Sequence, residues 1–247
     1  MMEKYIILPF AGLITGLIDS VVGGGGIISL PTLSFFVGAG PDAIGTNKIV
    51  GTVGASVALF VYTKNGNLLL KEGLSYVLWC ALGSYFGSSL APFVQKIYFH
   101  YLMIITCPFL LMLVIKKDKL FTDKVREPKP LYFFVLIAFL SGFYDGFFGP
   151  GGGTMMFLGL YLVAGFPLLN AIAISKLANT FSAATALATY YSNGYVHFKE
   201  GLLVAIGMTI GSFIGASYAT KNATKILKPM LIFVVTLLMG KLIWDLK

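Results

Sequence analysis

The chain has 247 residues, of which 57% are apolar and only 11% charged, with a formal net charge of +8; its mean hydropathy is +0.86. Soluble domains carry roughly a quarter charged residues, so this composition cannot coat a water-facing surface. It disfavours a soluble enzyme, a disordered chain and a nucleic-acid-binding domain together. It points to an all-α polytopic membrane protein with a lipid bilayer as its partner.

In chain order, apolar runs lie at about 5–22, 27–38, 43–62, 73–91 and 97–115, and then at 131–148, 154–165, 171–191, 201–219 and 227–244. The first run follows Lys4, as a signal peptide would, but no convincing small-residue cleavage site follows it. Between the two sets lies a polar stretch, residues 116–130. It holds Lys116, Lys117, Lys119, Lys124, Arg126 and Lys129 and closes with Pro128 and Pro130. By the positive-inside rule this loop is expected in the cytoplasm. The expected organisation is a first transmembrane repeat at 1–115, a linker at 116–130 and a second repeat at 131–247.

The repeat is read by laying the chain on itself. At an offset of 126, Gly16, Asp19, Gly23, Gly25 and Gly26 fall on Gly142, Asp145, Gly149, Gly151 and Gly152. The offset then becomes 128, and twelve of the twenty-seven residues from Lys48 to Leu74 are identical to those from Lys176 to Leu202. The first run thus has a partner in mid-chain and belongs to the fold. The second run of each half has about a dozen residues, too short to cross a bilayer alone. If it does not cross, each half has four spans, about eight in all (4+4), and the halves are parallel. If it crosses, the count is ten and the repeats are inverted (5+5). Loop charge does not separate the two, and the shortness of the runs favours eight.

Asp19 and Asp145 each sit late in the first run of their half, just before the glycine cluster. Carboxylates at membrane depth are costly and mostly functional, so both are candidates for carrying a coupling proton, or for gating by pairing with Lys48 or Lys176. The glycine clusters follow at once: Gly23, Gly24, Gly25 and Gly26, then Gly149, Gly151, Gly152 and Gly153 around Pro150. At ~1 kcal/mol per glycine, a helix should break there. The next helix would then open with free N–H groups and the positive end of its dipole, a site for an anion. Thr46, Asn47 and Lys48, matched by Ser175, Lys176 and Asn179, add ammonium groups and neutral hydrogen-bond donors that favour an oxyanion over a cation. Gly12/Gly16, Gly83/Gly87 and Gly207/Gly211/Gly215 read as helix-packing stripes, and Asn65-Gly66 and Asn193-Gly194 as turns. Cys80, Cys107, His100 and His197 stand without partners at metal-ligand spacing. No metal, cofactor or nucleic acid is expected, and no catalytic constellation of an enzyme stands out.

The motif GGGGIISLP, the TNK that opens the third run, the NG…KEGL turn and the GSxxG helix resemble the sulfite exporter TauE/SafE family, also called the four-toluene-sulfonate uptake permeases. The resemblance covers nearly the whole chain and both halves. Matching positions are Gly23–Gly26, Pro31, Thr46, Gly149, Gly151–Gly153, Ser175 and Asn179. The halves differ at Pro150, which replaces a glycine, and at Ile174-Ser175, which stands where Thr46-Asn47 does. The resemblance implies a bacterial or archaeal inner-membrane secondary transporter for sulfur-containing anions such as sulfite, sulfoacetate and other organosulfonates. The expected function is proton-coupled movement of such an anion by alternating access. An anion channel with the same positive site and no gradient coupling is the alternative. Oligomeric state is not legible, a homodimer being one option.

Overall fold

The computed structural model describes residues 3–94 and 131–245. The apolar run at 97–115, the linker at 116–130, His100 and Cys107 lie outside these described residues. Among the described residues there are eight α-helices: α1 (Lys4–Val22), α2 (Gly26–Val37), α3 (Pro41–Lys64), α4 (Leu70–Leu90), α5 (Leu131–Phe147), α6 (Gly152–Leu162), α7 (Leu168–Ser192) and α8 (Phe198–Asp245). A short 3₁₀ turn, Ala91–Phe93, follows α4. The described part contains no strand. Helix boundaries fall within a few residues of the apolar runs. Backbone at Asn222 (φ −136°, ψ 25°) is non-helical and divides α8 in two, just before the last run at 227–244.

Among the described residues, four helices are long and apolar enough to cross a membrane: Lys4–Val21, Pro41–Lys64, Leu168–Ser192 and Phe198–Asn222. The chain is therefore a multi-pass helical membrane protein. With 12 residues in α2, that helix extends only ~18 Å at 1.5 Å per residue, well short of the ~30 Å hydrocarbon core.

The side-chain distribution is that of a protein in lipid. Leu74, Leu78, Leu82 and Phe86 on α4 and Leu202, Ile206, Ile210 and Ile214 on α8 face outward, while Asp19, Asn47, Lys48, Asp145, Lys176 and Asn179 are buried. Apolar groups outside meet the acyl chains, and polar groups inside find one another.

The glycine stripes carry the tightest packing. A Cβ placed on Gly12 would lie 2.0 Å from the Val204 carbonyl oxygen, and one on Gly207 would lie 1.8 Å from that of Pro9. On the other pair of helices, Gly83 and Gly142 would meet the carbonyls of Phe139 and Cys80 at 2.1 and 2.0 Å. Backbones thus touch directly, α1 on α8 and α4 on α5, as small residues permit in membranes. Each half closes its core with a helix of the other.

The same contacts set the helix directions. Pro9, Leu13 and Leu17 meet Gly207, Gly211 and Gly215 in rising order, so α1 and α8 are parallel; Phe139 and Phe143 meet Gly83 and Gly87, so α4 and α5 are parallel too. Lys4 pairs with Glu200 and Asp42 with His197, which puts the starts of α1, α3 and α8 on one side. Asn170, near the start of α7, donates to the Asn67 carbonyl, in the turn where α3 ends on the other side. Hence α1, α3 and α8 run one way, and α4, α5 and α7 run the other. The helices of the second half are opposed in direction to their counterparts in the first. The short helix α2 runs back toward the side where α1 began.

Candidate functional site

Both glycine clusters break the helix where expected. Gly23 ends α1 in the left-handed conformation (φ 79°), its N–H bonded to the Asp19 carbonyl. Gly151 opens α6 with φ 83°, after Gly149 at φ 104°. These angles suit glycine and little else. The clusters also make room. A Cβ on Gly23 would lie 2.4 Å from the Gly153 carbonyl carbon, and one on Gly26 would lie 3.2 Å from Pro150 Cα. The two breaks abut, one from each half.

Around them the buried charges pair across the halves. Lys48 of α3 reaches Asp145 of α5, with Nζ 3.4 Å from Oδ2, and Lys176 of α7 reaches Asp19 of α1 at 3.3 Å. Each ammonium also donates to the backbone carbonyl of its aspartate. Lys48 is 3% exposed and Lys176 1%, so neither snorkels to headgroups. Tyr62 donates to the Ser20 carbonyl and Tyr190 to that of Gly146, bracing the same two helix ends at positions that align in the sequence comparison.

This arrangement corrects the electrostatic expectation. Two ammonium groups beside two helix N-termini were to give a positive centre. The structure sets two carboxylates against them, and the Gly25 N–H at the start of α2 already donates to Asp19 Oδ1 at 3.1 Å. The physical reason is desolvation: a lone ammonium in a low-dielectric interior is far costlier than a paired one. The centre is neutral by charge count.

A cavity of about 30 Å³ lies among these groups. Of the residues singled out in the sequence, Asp19, Gly23, Gly26, Asn47, Lys48, Asp145, Gly149, Gly153 and Asn179 line it. Asn47 Oδ1 accepts the Ser29 hydroxyl at 2.6 Å, which leaves its amide NH₂ to donate elsewhere. Gly24, Gly25, Thr46, Gly151, Gly152, Ser175 and Lys176 do not line the cavity. Gly25 and Gly152 instead give space to the aspartates, a Cβ on either lying 2.6 Å from Asp19 Cβ or Asp145 Oδ1. Thr46 accepts the His197 backbone N–H at 3.0 Å and so caps the turn before α8. The Ser175 hydroxyl bonds back to Ile172 on its own helix, and Thr52 and Thr180 bond back to Lys48 and Lys176. Sequence reasoning missed Gly51 and Ala183, which line the cavity, and Ser182, whose hydroxyl donates to Asp145 Oδ2 at 2.6 Å. Their signal was present in the alignment of the halves, where Gly51 falls on Asn179 and Gly54 on Ser182. Among the described residues no group of three or more His, Cys, Asp or Glu is placed to hold a metal ion.

Comparison with known proteins points to membrane transporters. A probable membrane transporter protein, ORF9 of Sinorhizobium sp, is 35% identical over 241 residues, covering 95% of this chain and 90% of that protein. A probable membrane transporter protein of Haemophilus influenzae is 30% identical over 97% of this chain and 94% of its own length. The probable membrane transporter protein YfcA of Escherichia coli K12 is 28% identical over 97% of this chain and 89% of its own. No solved structure matches the chain. The model of the sulfite exporter TauE/SafE family matches residues 8–242, and the chain therefore belongs to that family of membrane transporters.

Proposed function

We propose that the protein is a secondary transporter that moves a small sulfur-containing anion, such as sulfite, sulfoacetate or another organosulfonate, together with a proton. The observation that carries this reading is the pair of buried Lys–Asp contacts that join the two halves around a cavity at abutting helix breaks. A neutral centre of this kind admits an anion only if its negative charge is balanced. A proton on one aspartate supplies that balance: the carboxylate becomes neutral and its lysine turns to the anion. The amide groups of Asn47 and Asn179, both at the cavity, offer donors to the remaining oxygens.

The opposed helix directions support two inverted repeats and the ten-span arrangement over the eight-span one, with each short helix returning the chain after the first helix of its half. Alternating access then follows from rocking one repeat on the other. A cavity of about 30 Å³ has room for about two waters, so the site widens before substrate enters. The charge of the 116–130 loop and the bacterial relatives support a cell inner membrane with that loop in the cytoplasm.

The test is uptake of radiolabelled sulfite, sulfoacetate and taurine into proteoliposomes under an inward proton gradient. Accumulation above the external concentration, abolished by a protonophore, is the expected result. Flux that only runs downhill and ignores the proton gradient identifies the channel instead, and absence of flux for every sulfur anion refutes the substrate class.

A further inference from the structure

The two carboxylates of the centre are not served alike. Asp19 accepts a backbone N–H, that of Gly25, on Oδ1. Asp145 accepts the Ser182 hydroxyl on Oδ2 at 2.6 Å. The position matching Ser182 in the first half is Gly54, where Met208 fills the space: its Cε lies 2.0 Å from where a Cβ would stand. Behind Ser182, Ser84 donates to the Ser182 carbonyl at 2.7 Å. The matching Ser212 buries a hydroxyl with no hydrogen-bond partner among the described residues.

An amide N–H can only donate, whereas a hydroxyl both donates and accepts. Protonation of Asp19 would weaken the only side-chain acceptor among the described residues for the N–H groups at the start of α2 and leave the acid proton facing Lys176, a pure donor. Asp145 Oδ2 also faces an ammonium, that of Lys48 at 3.4 Å, but protonation there keeps the hydrogen bond to Ser182 with the roles reversed. The acid O–H then donates to Ser182 Oγ. The serine hydrogen turns to the carbonyl one turn back on α7, as the hydroxyls of Thr180, Thr185 and Ser192 on that helix already do. One proton passes from hydronium to Oδ2, leaving water, and no covalent bond of the protein is broken. Lys48 keeps the Asp145 carbonyl but now carries an unbalanced positive charge at the cavity.

We propose that Asp145, with Ser182 as its reversible hydrogen-bond partner, is the group that takes up the coupling proton, while Asp19 stays ionised as the cap of α2. The inference rests on the reading above that a proton accompanies the anion. The titratable and charged groups around Asp145 are Lys48 from α3, Tyr190 from α7, Cys80 and, one turn away, Tyr76 from α4, and Asp19 across the cavity with Lys176 behind it. Tyr190, Cys80 and Tyr76 each donate to a backbone carbonyl, of Gly146, Ala138 and Met156. None of the three offers Asp145 the reversible partner that Ser182 does.

Infrared difference spectra of the purified full chain in lipid nanodiscs, taken between neutral and acidic pH, test the assignment without any substrate. The wild type should gain the carbonyl band of a water-shielded carboxylic acid. That band should be lost in Asp145→Asn, kept in Asp19→Asn, shifted in Ser182→Ala and restored in position by Ser182→Thr. The proposal is overturned if no such band forms, if it survives Asp145→Asn, or if Ser182→Ala leaves it unmoved. Should Asp19→Asn fail to fold, the Asp145 and Ser182 variants decide alone. Because the readout needs no anion, a failure of flux in liposomes would refute the transport reading and leave this result standing.

Discussion

Replacing Lys176 by Met tests whether the cross-half ion pairs hold the structure together. The substitution keeps a long, flexible side chain in a site where Lys176 is 1% exposed, so what is lost is the ammonium and not the volume. At 3.3 Å and an effective dielectric constant of about 20, two unit charges attract by ~5 kcal/mol. Removing one member of a buried pair typically costs about 3–5 kcal/mol, because the other charge is left uncompensated. The Asp19 carbonyl loses the same donor but keeps the Gly23 N–H at 2.8 Å, so the penalty resides in the carboxylate. Lys176→Met alone should therefore destabilise by about 3–5 kcal/mol. Adding Asp19→Asn, whose amide oxygen can still accept from Gly25, should recover about 2–3 kcal/mol, at the upper end for contacting residues. Unfolding of the single and double variants by titration with a denaturing detergent in mixed micelles gives the coupling. A coupling within ~0.5 kcal/mol of zero, as found for independent sites, would show that the pair does not join the halves.

Two glycine substitutions should separate packing from function. Gly207→Ala forces a methyl within 1.8 Å of the Pro9 carbonyl oxygen, so α1 and α8 must part; loss of folded yield and of thermal stability by size-exclusion assay is expected, and wild-type behaviour would refute the direct backbone contact. In Gly51→Ala the new methyl meets only the Ala183 side chain, at an ordinary 3.6 Å, but it intrudes on the cavity. Stability should stay near that of the wild type while KM for anion uptake rises, most for the bulkier sulfonates; an unchanged KM would place the anion elsewhere.

Much of the site was legible because its causes are local. Runs of glycine break helices wherever they occur, so the interruptions at Gly23 and Gly151 followed from the residues themselves. The same holds for the turns at Asn65-Gly66 and Asn193-Gly194, where Gly66 and Gly194 adopt φ of 73° and 78°. Aspartates and lysines in apolar runs announced that something would have to balance them. The packing stripes were visible as four-residue spacings. The roles of Thr46 and Ser175 were not legible, because a few tens of degrees of helix rotation decide whether a hydroxyl faces a cavity or its own backbone. Ser182 went unremarked for the same reason: serine on a helix usually bonds back one turn, and only the approach of α5 gives it a carboxylate.

The sequence by itself determined the helical membrane class, the places where helices must stop and the residue types gathered at depth, since propensity and hydropathy act within a few turns of chain. Tertiary structure alone decided which lysine neutralises which aspartate, that the centre is balanced and not positive, and that the two halves point in opposite directions. Those facts depend on which backbones touch through their glycines, and a contact such as that of Lys176 with Asp19, 157 residues apart, leaves no trace in local pattern.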